Sequence, residues 1–153
     1  MLTIPNINTS IENKNIFVLD EHARNSTFVR DASGRLIHYS GGFSVVFPYE
    51  TTTGEKWAFR CWHTNFVNSK KRYQTISDAI KNAKLSFLCE FQYVEQGVIV
   101  EGNKYPTTRM KWIDGIGIKD YICKNRNSKS LLNSLAANFL KMIQTLHARS
   151  LAH

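Results

Sequence analysis

The sequence predicts an α+β fold, in which a mainly antiparallel sheet of about five strands is covered by one helix and followed by a helix pair. Between Thr27 and Trp62, strand-like runs are joined by turns too short for a parallel crossover, which needs about a dozen residues. A segment with helical periodicity follows, strand alternation resumes, and two helical segments close the sequence. With 153 residues, 42% of them hydrophobic, the chain can bury one moderate core.

The first part of the sequence divides into an arm and a run of strands. Residues 1–26 are rich in Asn, Ser and Thr, which predicts a loosely docked N-terminal arm. Turn-forming residues at 31–34 and 51–54 then separate the first strands of a lobe that extends over residues 27–115. These predicted strands are Arg35–Ser40, Ser44–Glu50 and Lys56–Trp62.

The middle of this lobe predicts a helix from about Ser69 to Lys84, because apolar residues recur there at helical spacing. They are Tyr73, Ile76, Ile80 and Ala83. Alternation over residues 87–93 then predicts a strand, and Gln96-Gly97 predicts a turn. Two more strands are expected, Val98–Val100 and Tyr105–Ile113.

Residues 116–153 predict two helices. The first is short, Ile118–Cys123, and the second runs from Lys129 to Ala148 with Ser128 as its N-cap. One face of the second helix is apolar and carries Leu132, Leu135, Ala136, Phe139, Ile143 and Leu146.

Composition narrows the classes of partner. The net charge of +8, from 20 Lys and Arg against 12 Asp and Glu, favours polyanionic partners. The three cysteines form no C-x-x-C pair and the five histidines show no metal-binding spacing, so neither a disulfide framework nor a metal site is expected. No run approaches the ~20 apolar residues of a membrane span, and no signal peptide is recognisable, so we expect a cytoplasmic chain without a membrane partner.

Residues 39–46, Tyr-Ser-Gly-Gly-Phe-Ser-Val-Val, resemble a degenerate glycine-rich phosphate loop of the form G-x-G-x-x-G-x-V. Small residues in such a loop let backbone N–H groups approach phosphates. Gly41 and Ser44 align with the second and third glycines, whereas Tyr39 stands where the first glycine would be. An ordinary hairpin turn containing Gly41 and Gly42 explains the segment equally well.

Two later segments also resemble nucleotide-binding motifs. Residues 57–60, Trp-Ala-Phe-Arg, resemble a V-A-I-K strand, with Arg60 in the place of the phosphate-pairing Lys. The planar fork of Arg differs from the compact charge of Lys, so the phosphate geometry should change. Residues 110–115 resemble a nucleotide-binding hinge, with Met110 as gatekeeper and Lys111 in the place of the usual acid. A surface Arg on an amphipathic strand and an edge strand ending at a glycine turn remain alternative interpretations.

The last segment, from Leu146-His147 to His153, resembles the helix end and the His that opens the catalytic loop of protein kinases. Taken in order, the segments from Arg35 to His153 are similar to the amino-terminal lobe and following helices of the protein-kinase-like family. This family includes protein kinases and small-molecule kinases, and the segments resemble both. The catalytic Asp, the metal-binding Asn and the Asp-Phe-Gly do not follow His153. The resemblance therefore implies a fragment or degenerate relative of an ATP-dependent phosphotransferase that is not competent alone. In a complete member of the family the second helix lies inside the following lobe, so the resemblance also implies an exposed Leu132–Leu146 helix face and self-association through it.

The resemblance also implies roles for individual residues and, for the parent family, ATP and Mg²⁺. Phosphate contacts are implied for Gly41, Gly42, Ser44 and Arg60. Adenine contacts are implied for Val46, Ala58, Met110 and the backbone of Lys111 and Ile113. The helix from Ser69 to Lys84 should supply an acid to pair with Arg60, and its only carboxylate is Asp78. A different class of function, a non-catalytic module whose basic face binds nucleic acid or an acidic protein partner, is the alternative.

Overall fold

The computed structural model describes residues 2–64 and 69–151. They adopt an α+β fold, as predicted, in which six strands form one curled antiparallel sheet. The chain divides into two compact units. The first comprises Met1–Lys84 and Leu88–Trp112, and the second comprises Leu85–Phe87 and Ile113–His153.

From Tyr39 onward the secondary structure follows the predicted order, although only the last two residues of the predicted strand Arg35–Ser40 form a strand, and the elements before residue 29 were not predicted. The helices of the first unit are α1 (Ile4–Glu12), α2 (Lys14–Phe17), α3 (Glu21–Arg24) and α4 (Ser69–Ala83). Its strands are β1 (Thr27–Phe28), β2 (Tyr39–Ser40), β3 (Ser44–Glu50), β4 (Lys56–Trp62), β5 (Phe91–Val100) and β6 (Asn103–Lys111). The second unit contains α5 (Ile118–Lys124) and α6 (Lys129–His147). The bounds of β3 and β4 are those that the sequence predicted.

The sheet has the strand order β1-β3-β4-β6-β5, and β2 also pairs with β3. β1 pairs near the end of β3, at Glu50, and β2 pairs near its start, at Val46. β3 and β4 are paired along their whole length, from Ser44 opposite Trp62 to Glu50 opposite Lys56. This register determines which side chains share a face, because successive residues of a strand point to opposite sides.

The hydrophobic core lies on one face of β3 and β4. Its strand residues are Val45, Phe47, Tyr49, Trp57, Phe59 and Cys61. The N-terminal helices and their connections contribute Ile7, Ile11, Val18 and Ala23, each no more than 1% exposed. This corrects the prediction of a loosely docked arm: Asn, Ser and Thr are abundant in residues 1–26, yet Ile4, Ile7 and Ile11 recur at helical spacing and form an apolar stripe.

Helices therefore cover both faces of the sheet, instead of the single covering helix that was predicted. The N-terminal helices pack on the core face. On the opposite face, Tyr73 of α4 lies against Trp62, with 4.8 Å between ring centroids. The face that carries Trp62 is consequently a separate surface, which α4 covers in part.

Gly97 lies inside a strand, whereas the sequence predicted a turn there. β5 continues through it, and a β-bulge between Val94 and Val98 absorbs the irregularity. The turn is formed by Glu101 and Gly102, whose φ angles of 49° and 77° suit a two-residue hairpin loop. The Gly97 carbonyl accepts hydrogen bonds from the amides of Leu19 and Asp20, so the bulge anchors the N-terminal segment.

In the second unit, Ser128 is the N-cap residue of α6, as predicted, although its side chain makes no capping hydrogen bond. On α6, Phe139 is 45% exposed and Leu140 is 57% exposed. Within the described ranges, no helix is both long enough and apolar enough to cross a bilayer.

Candidate functional site

Four of the predicted nucleotide-binding residues lie together on the non-core face of the sheet. Val46 of β3 is directly opposite Arg60 of β4, and Ala58 of β4 is directly opposite Met110 of β6. Arg60 is in turn opposite Thr108. Because residues in register on antiparallel strands project to the same side, all five side chains share this face.

Among the residues that the structure describes, two buried polar atoms on this face have no hydrogen-bond partner. The Nε of Arg60 is buried and unpaired, and the neighbouring Thr108, 0% exposed, has an unpaired Oγ1. Unsatisfied buried groups cost free energy, typically about 1–3 kcal/mol each, and are uncommon in folded proteins. On this face, an unpaired guanidinium N–H and an unpaired hydroxyl thus belong to directly opposed residues of adjacent strands.

The expected ion pair between Arg60 and Asp78 is not formed in the part of the chain that the structure describes. Asp78 is exposed and accepts a hydrogen bond from Gln74 at 3.1 Å. Ser77, one residue earlier, faces the sheet: its Oγ donates to the Phe91 carbonyl at 3.3 Å and accepts from the Tyr93 amide at 3.4 Å. Since consecutive helical residues are rotated by about 100°, this register directs Asp78 away from β4.

An aromatic cluster that sequence reasoning missed lies between α4 and the sheet. Tyr73 contacts Trp62 and stacks on Tyr93, with 6.4 Å between the latter ring centroids and 7° between their planes. Phe91 is also 6.4 Å from Tyr73. The signal was present in the helical spacing of Tyr73 and the alternation of Phe91 and Tyr93. The cluster fixes α4 by apolar packing instead of through the expected ion pair.

The glycine-rich segment forms the hairpin between β2 and β3. The Gly41 amide donates to the Ser44 carbonyl at 2.9 Å. A Cβ on Gly42 would meet no atom within 4 Å, and one on Gly41 would come no closer than 3.9 Å to Ser44 O, so the turn leaves open space beside its backbone. His63, just after β4, contacts the Gly41 carbonyl through Nε2 at 3.1 Å, which ties the hairpin to the end of that strand.

The predicted hinge residues are divided. Met110 belongs to the shared face, but Lys111 pairs with Trp57 on the core side, and its amide donates to the Glu90 carbonyl at 2.9 Å. The Lys111 ammonium lies 2.6 Å from Glu55, and this hydrogen bond raises the pKa of Lys111 and lowers that of Glu55. Ile113 belongs to the second unit and is 67% exposed. His153 lies outside the described residues.

Comparison of the chain with protein-family models, with curated proteins and with solved structures gave no match. The described residues contain no group of three or more His, Cys, Asp or Glu side chains placed to hold a metal ion.

Proposed function

We propose that this chain is the nucleotide-binding part of a protein-kinase-like phosphotransferase, and that its 153 residues bind ATP without transferring phosphate alone. The main support for this proposal is that Val46, Ala58, Arg60 and Met110 lie on one face of the sheet, in two directly opposed pairs. These residues were selected from sequence motifs that are far apart along the chain. Their convergence is the arrangement that a shared ligand requires.

In this proposal, the apolar side chains contact the base and the polar ones contact the phosphates. Ala58, Met110 and Val46 supply the apolar contacts, and Arg60, directly opposite Val46, supplies the polar one. The unpaired Nε of Arg60 would gain a phosphate oxygen as its partner. The backbone of Gly41, Gly42 and Ser44 lies in the hairpin adjoining Val46, which supports its proposed role at the phosphates.

Binding without transfer is supported by the missing ion pair between Arg60 and Asp78 among the described residues. Phosphoryl transfer depends on a cation–carboxylate pair that positions the phosphates and on carboxylates that hold Mg²⁺. In the part of the chain that the structure describes, Asp78 does not pair with Arg60 and so does not supply the first. Mg²⁺ would bind through the phosphate oxygens of the nucleotide.

The test is isothermal titration of the chain with ATP and Mg²⁺, compared with Arg60→Ala. We expect the substitution to weaken binding by about tenfold, or roughly 1.4 kcal/mol, because it removes a charge-assisted contact to phosphate. Arg35→Ala is the matched control, since the Arg35 side chain is 81% exposed in the loop before β2. Equal affinity of Arg60→Ala, or no binding by either the wild-type chain or the Tyr39→Ala variant introduced below, would contradict the proposal.

A second candidate function is that the second unit binds a polyanion, of which nucleic acid is the main candidate. Residues 113–153 contain six Lys and Arg against two Asp and Glu, an excess concentrated around α5 and α6. This mode predicts that affinity for single-stranded oligonucleotide falls steeply with the logarithm of salt concentration. A flat salt response together with measurable ATP binding would exclude it.

A further inference from the structure

Tyr39 and Trp112 are in contact on the non-core face although their backbones belong to strands that are not neighbours. Their ring centroids are 5.9 Å apart, with 36° between the planes. Tyr39 is in β2, opposite Val46 of β3. Trp112 directly follows β6, and its amide donates to the Lys56 carbonyl of β4 at 2.9 Å, which extends the ladder by one residue. Two strands, β3 and β4, therefore separate the two residues.

The register shows what lies beneath this contact. Pro48 of β3 and Ala58 of β4 are directly opposite each other, midway between the level of Val46 and that of Lys56. They lie on the diagonal from Tyr39 to Trp112, and alternation directs all four side chains to the same face. The register therefore places Pro48 and Ala58 between the backbone positions of the two rings, and Ala58 is 5% exposed.

We propose that the Tyr39 ring occupies the binding site for the flat aromatic ring of a ligand above Ala58. We call the Tyr39 ring in this position the plug. Trp112 forms one side of this binding site, so a flat nitrogen heterocycle displaces Tyr39 and stacks on the Trp112 indole. The proposal rests on the proposed function in taking this heterocycle to be the base of the nucleotide. It also accounts for an aromatic residue at the position of the first glycine in the phosphate-loop pattern.

The plug can leave without disrupting the core. Tyr39 is 55% exposed, belongs to a strand of two residues and is absent from the hydrophobic core cluster. Trp112 is half-buried and held through its backbone. The two rings are tilted by 36° with centroids only 5.9 Å apart, so a third ring does not fit between them, and stacking of a ligand on Trp112 requires Tyr39 to move.

The experiment compares wild type, Tyr39→Ala and Tyr39→Phe in titrations with adenosine and with ATP and Mg²⁺. Removing the ring should strengthen binding of both ligands on the order of tenfold, because the base no longer competes with an aromatic contact. Tyr39→Phe keeps the ring and should bind like wild type. Trp112→Leu in the Tyr39→Ala background should lose the gain in affinity. This second variant tests stacking on Trp112 independently.

The outcomes separate the plug from the proposed function. Adenosine has no phosphate, so its response to Tyr39→Ala reports on the plug, whereas the response of ATP to Arg60→Ala reports on the phosphate site. Equal adenosine affinity in wild type and Tyr39→Ala overturns the plug even if Arg60 matters for ATP. A gain for adenosine without any effect of Arg60→Ala supports the plug and overturns the phosphate site. No binding of either ligand by any variant overturns both.

Discussion

The Asp20 carboxylate and the Arg109 guanidinium form an ion pair, with 2.5 Å between Oδ1 and Nη1, that joins the N-terminal segment to β6. The Asp20 side chain is 1% exposed and that of Arg109 is 18% exposed. Asp20 is also the N-cap of α3, where Oδ1 accepts from the His22 amide at 3.0 Å. One carboxylate thus both neutralises a largely buried cation and satisfies a helix end.

Asp20→Ala should therefore destabilise the fold by roughly 3–5 kcal/mol, because it leaves the Arg109 charge without its partner in a largely buried position. The measurement is the free energy of unfolding from urea denaturation. Glu95→Gln is the control, since it breaks the exposed pair with Lys70, whose side chain is 65% exposed, and should leave the midpoint almost unchanged. If Asp20→Ala shifts the midpoint no more than Glu95→Gln, the pair does not hold the N-terminal segment.

Gly97→Ala should also destabilise the fold strongly. A Cβ at this position would lie 1.8 Å from Oγ1 and 2.7 Å from Cβ of Thr107, which is 0% exposed and on the paired strand. Relief requires β5 and β6 to separate, so the cost should be at least about 1–3 kcal/mol. Circular dichroism during thermal unfolding measures it, with Gly115→Ala, where a Cβ meets nothing within 4 Å, as the control. Equal melting temperatures for the two variants would count against the clash.

Gly97 also illustrates what the sequence can predict about this fold. Alternation and turn residues were sufficient for β3 and β4, because the signals there are local. At Gly97, the residue type suggested a turn, but its reason is a close approach to Thr107 and two hydrogen bonds to the N-terminal segment. Those contacts are long-range, and no local pattern contains them. The same applies to α1, whose composition concealed an apolar stripe.

The candidate site divides in the same way. Motif spacing selected Val46, Ala58, Arg60 and Met110, and strand periodicity was enough to place them on a common face. The partner of Arg60 could not be predicted, because a rotation of α4 by one residue decides whether Ser77 or Asp78 faces the sheet. The contact of Tyr39 with Trp112 depends on the curl of the sheet, which the sequence of neither segment predicts.

Self-association through the Leu132–Leu146 face of α6 remains a prediction. Phe139 lies on this face and is 45% exposed. Phe139→Glu should weaken association, because it places a charge in an apolar contact. Gln144→Glu, on the polar side of the same helix, adds an equal charge and should have little effect. Light scattering over a range of concentrations measures the mass, and a monomer at every concentration of the wild-type chain would refute the expectation.

The last prediction concerns His22, which connects the N-terminal segment to the core. Its Nδ1 lies 2.9 Å from the Tyr49 hydroxyl, and its ring packs edge-on against Trp57 at 4.6 Å between centroids. Burial, followed by the positive charge of Arg109, lowers the pKa of His22 below its usual 6.5, against the opposing effect of nearby carboxylates. These are Asp20, Glu90 and Glu55.

Because the folded state has the lower pKa, the unfolded chain takes up a proton first as the pH falls through about 6.5. The stabilisation from neutral His22 is thus complete above this pH and is lost progressively below it. We expect the urea midpoint of the wild-type chain to fall between pH 7.5 and pH 5.5, values chosen about one unit either side of that pKa, and to fall less in His22→Asn. The carboxylates are common to both chains, so the difference between the two slopes isolates the imidazole. Parallel slopes would show that His22 does not couple protonation to folding.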